Sequence, residues 1–278
     1  MEKKATPTTT LNNSIEIPLL GLGTYRALGH DCVEAVKFAI NHGYDLIDTA
    51  QAYGNEREVG DGWKASGRTR EDVFITTKIS SGNQGYASTF TSFKTSLVNL
   101  QLDYVDLLLI HWPNIRDFDR TIATWQAMTE LYEDGLCRSI GVSNFTIPLL
   151  DKLITATDII PMINQVEFHP FLYQKELLGY CHRQGIQLEA YTPITRGKFF
   201  DHEELQQVSK KHQKTPAQVM LAWSVQHNIV VIPKSVHESH ILENADIFFE
   251  LEAQDMEMLD QVQPQTRLIR SPDAPPSW

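Results

Sequence analysis

Apolar runs of strand length recur along the whole chain, at 20–25, 45–50, 73–79, 104–111, 137–142, 162–167, 186–191 and 229–233. Most are aliphatic or β-branched at successive positions instead of alternating with polar ones, which is how parallel strands buried on both faces read. Amphipathic segments of helix length separate them. Several of these segments open on residue pairs that predict a reciprocal cap, namely Asp31 with Glu34, Asn55 with Glu58, Asp201 with Glu204, and Thr215-Pro216 with Gln218. Gly43, Gly67, Gly135 and Gly185 stand where four helices must turn left-handed before the next strand. Ahead of the rhythm, the asparagine pair in Leu11-Asn12-Asn13-Ser14-Ile15 predicts a small β-hairpin. The pattern predicts an α/β fold of eight strand–helix units, a closed (β/α)8 barrel over residues 1–278 as a single domain, with 1–9 as a flexible tail. A functional site would then form at the carboxyl ends of the strands. The rival, a doubly wound sheet, needs an early G-x-G-x-x-G, and Gly21-Leu22-Gly23-Thr24-Tyr25-Arg26 has only its first two glycines.

Length and composition agree with one large core: 278 residues, 42% hydrophobic, and no linker rich in Ser, Gly or Pro. The net charge of −11 argues against nucleic acid and anionic membranes as partners, since both need a basic footprint. Cys32, Cys137 and Cys181 form no C-x-x-C pair, and neither a leader nor an apolar run of about 18 residues is visible, so a cytoplasmic protein is expected. His237, Glu238 and His240 lack H-E-x-x-H spacing, and no metal is expected. No heptad run or exposed apolar strand predicts an oligomeric interface.

Candidate chemistry gathers at strand ends. Asp48, Lys78 and His111 each close a different predicted strand, and Tyr53 follows Asp48 by five residues. A free phenol, with a pKa of about 10, is a slow proton donor at neutral pH; an ammonium nearby would lower that value. Lys78 supplies the charge, Asp48 would hold the lysine, and a neutral His111 would donate a hydrogen bond to the same substrate oxygen. Singly, each has an ordinary reading as a cap, a solvated charge, a rim histidine or a packing aromatic. Their convergence on one barrel mouth is what favours catalysis.

The chain resembles the aldo-keto reductase family. The resemblance rests on Gly21-Leu22-Gly23-Thr24, Asp48-Thr49-Ala50 with Tyr53-Gly54-Asn55-Glu56, Lys78, Leu108 to Pro113, Gly141-Val142-Ser143-Asn144-Phe145, Asn164-Gln165-Val166-Glu167 and Ile232-Pro233-Lys234-Ser235. It implies a barrel that reduces aldehydes or ketones with NADPH, and a tetrad of Asp48, Tyr53, Lys78 and His111. It further implies cofactor contacts from Thr24, Ser143, Asn144, Gln165, Tyr191, Lys234, Ser235, His240, Glu243 and Asn244, and substrate contacts from Tyr25, Tyr53, His111 and Trp112, with Phe145 as a further apolar wall.

One position departs from the family pattern. His240 stands where an arginine is expected for NADPH; arginine carries a permanent planar charge, whereas an ordinary histidine is mostly neutral at pH 7. NADPH is still expected because Lys234 and Ser235 are present, with NADH use open. The short carboxyl end resembles the compact microbial branch that includes 2,5-diketo-D-gluconate, glyoxal and methylglyoxal reductases, and implies an open pocket for small dicarbonyls. The alternatives are an NADH-using aldose or xylose reductase and a cofactor-binding regulatory protein.

Overall fold

The structure, a computed structural model, describes residues 6–273. A two-stranded antiparallel hairpin comes first, β1 (Thr8–Thr10) on β2 (Glu16–Pro18). Eight parallel strands follow, hydrogen-bonded in chain order: β3 (Leu22–Gly23), β4 (Leu46–Asp48), β5 (Phe74–Ile79), β6 (Val105–Ile110), β7 (Cys137–Ser143), β8 (Ile163–Glu167), β9 (Gln187–Tyr191) and β10 (Val230–Val231). The sheet closes on itself: Gly21 N donates to Val231 O at 2.9 Å, Val231 N to Leu19 O at 2.9 Å, and Leu20 and Gly23 form parallel bridges to Val231 and Lys234. This is the expected barrel.

Around it run α1 (Gly29–Asn41), α2 (Glu56–Ala65), α3 (Tyr86–Leu100), α4 (Phe118–Glu133), α5 (Ile147–Ala156), α6 (Lys175–Gln184), α7 (Glu203–His212), α8 (Pro216–Gln226), α9 (Glu238–Ala245) and α10 (Ala253–Asp260). One helix follows each strand from β3 to β8, and two, α7 and α8, follow β9. Every residue of β5, β6 and β8 is buried, as strands between a filled barrel and a helical shell must be.

The seam strands are shorter than the apolar runs suggested, and at Gly23 two segments of the chain approach too closely for a side chain. A β-carbon on Gly23 would fall 2.7 Å from the Ile232 carbonyl oxygen, so this position requires glycine. The expected flexible tail at 1–9 is corrected at 6–9, where Thr6 bonds to Gly43 O and the hairpin begins. Thr8 and Thr9 pair with Pro18 and Ile17, while 1–5 lie outside the described residues.

The hairpin packs across the amino ends of the strands. Asn13 Nδ2 donates to Arg138 O (2.9 Å) and Ser139 Oγ (3.2 Å), Asn12 Nδ2 to Pro161 O (3.3 Å), and Thr6 Oγ1 to Gly43 O (2.6 Å). Leu11 and Ile17 are buried beneath it.

Of the predicted caps, Thr215 with Gln218 forms the full reciprocal box. The others differ. Leu28, not Asp31, precedes α1, and His202, not Asp201, precedes α7, neither with a side-chain cap. Asn55 does precede α2, but its amide crosses to Thr24 O and Ala27 O, both at 2.9 Å. Thr24 and Ala27 are buried, so their carbonyls need a partner from within the protein. The four glycines all adopt positive φ, from 69° to 104°.

Candidate active site

Strand register brings the candidate groups to one end of the barrel. Asp48 is the last residue of β4, Lys78 lies near the end of β5, and His111 follows β6 directly; Gln165 on β8 pairs with Ser143 on β7 and Glu189 on β9. Lys78 is fully buried. Its ammonium donates to both Asp48 oxygens (2.7 and 2.6 Å) and to Thr49 O (2.8 Å), so this charge is matched where it sits.

Tyr53 ends a single 3-10 turn, Gln51–Tyr53, that Gly54 closes with a left-handed φ of 68°. Its ring lies 5.1 Å from the Lys78 ammonium, 5.1 Å from the Tyr25 ring and 5.5 Å, edge-on, from His111. The expected lowering of the phenol pKa is overturned. Loss of water around Tyr53 pushes its pKa well above 10, and the Asp48 carboxylate, then Tyr25 and Glu189, push it further. Asp48 cancels the field of the lysine from which a lowering was anticipated. His111 moves the opposite way, to about 3, through burial and then the Lys78 charge, so its imidazole is neutral at any ordinary pH.

A cavity of about 1070 Å³ opens over these groups and is lined by Tyr25, Asp48, Tyr53, His111, Trp112, Ser143, Asn144, Gln165, Tyr191 and Lys234. Asn144, left-handed at φ 65°, gives its amide hydrogens to His111 O and Ser143 Oγ (both 3.0 Å) and accepts Tyr191 Oη at 2.7 Å. Gln165 Nε2 donates to Asp48 Oδ2 (2.9 Å) and Glu189 Oε2 (3.0 Å). Its Oε1 accepts nothing from the described residues. A free acceptor on Gln165 and a hydroxyl on Ser143 at the cavity wall fit a ligand amide, which offers one donor group and one acceptor.

The other expected contacts are spread from the barrel interior to the rim and α9. Thr24 does not line the cavity; its hydroxyl donates to Asp48 O at 2.9 Å. Phe145 is core, packed against Phe118, not a wall. Lys234 is exposed at the rim, Ser235 Oγ accepts His237 N at 3.0 Å, and His240 is exposed on α9 beside His237. Asn244 is buried on α9 away from the cavity, while Glu243 accepts Thr215 Oγ1 at 2.5 Å and ties α9 to α8.

Sequence reasoning missed two carboxylates. Glu189 is fully buried inside the barrel, and its signal was an acid in the otherwise apolar Leu188-Glu189-Ala190, two residues before Tyr191 and so on the same face of the strand. Glu167 anchors the carboxyl-terminal segment: its oxygens accept Leu268 N (2.6 Å) and Ile269 N (2.9 Å), and Arg267 lies 3.8 Å away. Ile269 and Arg270 thereby become a wall of the cavity.

Comparison with known proteins agrees with this fold. The model of the aldo/keto reductase family matches residues 19–264. The chain is 50% identical over 268 residues to glyoxal reductase of Bacillus subtilis (strain 168), covering 96% of each protein. It is 42% identical over 269 residues to 9,11-endoperoxide prostaglandin H2 reductase of Trypanosoma cruzi (strain CL Brener), covering 95% of this chain and 94% of that one. Among solved structures, an aldo-keto reductase from a Medee basin deep-sea metagenome library superposes with a TM-score of 0.94 at 42% identity, covering 96% of this chain and 99% of that one. A Bombyx mori aldo-keto reductase in complex with NADP superposes with a TM-score of 0.89 at 33% identity, covering 97% of each.

Proposed function

Because the chain belongs to the aldo-keto reductase family, we propose that it is an NADPH-dependent reductase of small aldehydes and ketones, dicarbonyls foremost, with Tyr53 as the proton donor. The observation that carries this reading is the shared cavity: Tyr53, His111, Gln165 and Tyr191 face one space, with Asp48 in its lining and the buried Lys78 bonded behind it.

When bound, the nicotinamide supplies the hydride. Ser143 and Gln165 would hold its carboxamide, and Tyr191, fastened through its hydroxyl to Asn144, would present a ring face for stacking. Tyr53 keeps its proton throughout the ordinary pH range and yields it only to a stronger base, which an oxygen becoming an alkoxide is. Neutral His111 cannot serve as an acid of similar strength; its role is to donate a hydrogen bond that aligns the carbonyl oxygen. Tyr25 and Trp112 supply apolar walls, and Arg270 closes one side.

Lys234 at the rim and the NADP-bound relative support NADPH, while His240 leaves a weaker grip on the phosphate than an arginine would. The test is a matrix of carbonyls (glyoxal, methylglyoxal, xylose, aromatic aldehydes) against NADPH and NADH, followed by cofactor absorbance. Higher kcat/KM for a dicarbonyl with NADPH supports the proposal. A preference for xylose with NADH would favour a sugar reductase, and binding without turnover of any carbonyl would favour a regulatory role.

A further inference from the structure

We propose that Glu189 is a positioning residue, which fixes the orientation of the Gln165 amide and, by holding or releasing a proton, sets whether the pocket favours the neutral or the positively charged nicotinamide. The inference rests on the reading of Gln165 as a carboxamide partner.

The geometry begins with the amide itself. Both hydrogens of Gln165 Nε2 point away from any ligand, one to Asp48 Oδ2 and one to Glu189 Oε2. Reversing the amide would set its oxygen against the Asp48 carboxylate, and against a second one whenever Glu189 is ionised, so the pair behind it commits Oε1 to the cavity side. Asp48 alone would offer a single acceptor; Glu189 from the neighbouring strand completes the clamp.

The same cluster has an unmatched charge. Asp48 from β4 and Glu189 from β9 share one cation, Lys78 from β5, and that ammonium is already bonded to both Asp48 oxygens and Thr49 O. Gln165 from β8 is uncharged, Tyr53 faces the cluster as a neutral phenol, and β10 contributes only Val230 opposite Glu189. Glu189 Oε1 is buried with no hydrogen-bond partner among the described residues, a costly place for a full negative charge. Burial, and then the Asp48 carboxylate, push its pKa up to about 8.

The sign follows. Below about pH 8 Glu189 is protonated and the cluster is neutral, so the site treats the uncharged dihydronicotinamide and the cationic oxidised ring more evenly. Above it, the carboxylate attracts the cationic ring, and the oxidised form gains.

The experiment measures dissociation constants of NADP+ and NADPH for the full chain at pH 7 and pH 9, with wild type and Glu189→Gln. The ratio of the two constants cancels every contribution from the shared phosphate end. The expected result is a ratio, NADP+ over NADPH, that falls about fivefold from pH 7 to pH 9 in wild type and stays level in the variant. Tight binding with a level wild-type ratio, or an unchanged slope in Glu189→Gln, overturns the inference and leaves the functional reading standing. Failure of both forms to bind overturns that reading and this inference with it. Infrared titration of wild type without cofactor needs no variant: a carboxylic acid band that disappears between pH 7 and pH 9 supports a protonated Glu189, and its absence at pH 7 overturns it.

Discussion

Lys78 is bonded to Asp48 so completely that it has nothing left for Tyr53. Its three protons go to the two carboxylate oxygens and to Thr49 O, and it meets the phenol only across the ring, at 5.1 Å. The lysine therefore shapes the floor of the site and its local field, without a direct hydrogen bond to the tyrosine hydroxyl.

Removing one partner of that pair strands the other in the interior. Lys78→Met should lower folding stability by about 3–5 kcal/mol, and adding Asp48→Asn should restore part of the loss. Urea unfolding of the single and double variants measures this; a single variant as stable as wild type would show that the pair is relaxed by water.

Tyr53→Phe removes the hydroxyl proposed as proton donor and leaves the ring. Turnover should fall by at least about 100-fold while the dissociation constant for NADPH stays within about twofold. Unchanged turnover would sink the role assigned to the hydroxyl.

His111 makes stability depend on acid. Its folded pKa of about 3 lies below the ordinary value of 6.5, so between those limits the unfolded chain binds a proton that the folded one does not. Its contribution is complete above pH 6.5 and is lost as pH falls toward 3. Denaturation curves from pH 4 to pH 6 should be flatter for His111→Gln, by on the order of 1 kcal/mol per pH unit. Parallel slopes in the two proteins would contradict the depressed value.

His240 is exposed at the expected phosphate end, so replacement costs the core nothing. His240→Arg should raise the NADPH-over-NADH ratio of kcat/KM by roughly tenfold by adding a permanent charge. No change would place the phosphate elsewhere.

The barrel was legible because burial on both faces leaves an unambiguous apolar rhythm, and Asp48, Lys78 and His111 were legible because each interrupts that rhythm at a strand end. Strand length at the seam was not, since Gly23 is defined by the distant Ile232 carbonyl. Nor was the direction of the Tyr53 shift, which depends on the Asp48–Lys78 distance and on lost hydration, neither visible in a linear string. Glu189 and Glu167 escaped for a related reason: a carboxylate in a strand acquires meaning only from what faces it, an amide from β8 in one case and the backbone of 268–269 in the other.

The hairpin laid across the amino ends gives the barrel a blind end. Leu11 and Ile17 lie buried under it, and the asparagines of its turn are bonded to the strands below, so the cavity over Tyr53 and Gln165 is approached from the opposite rim.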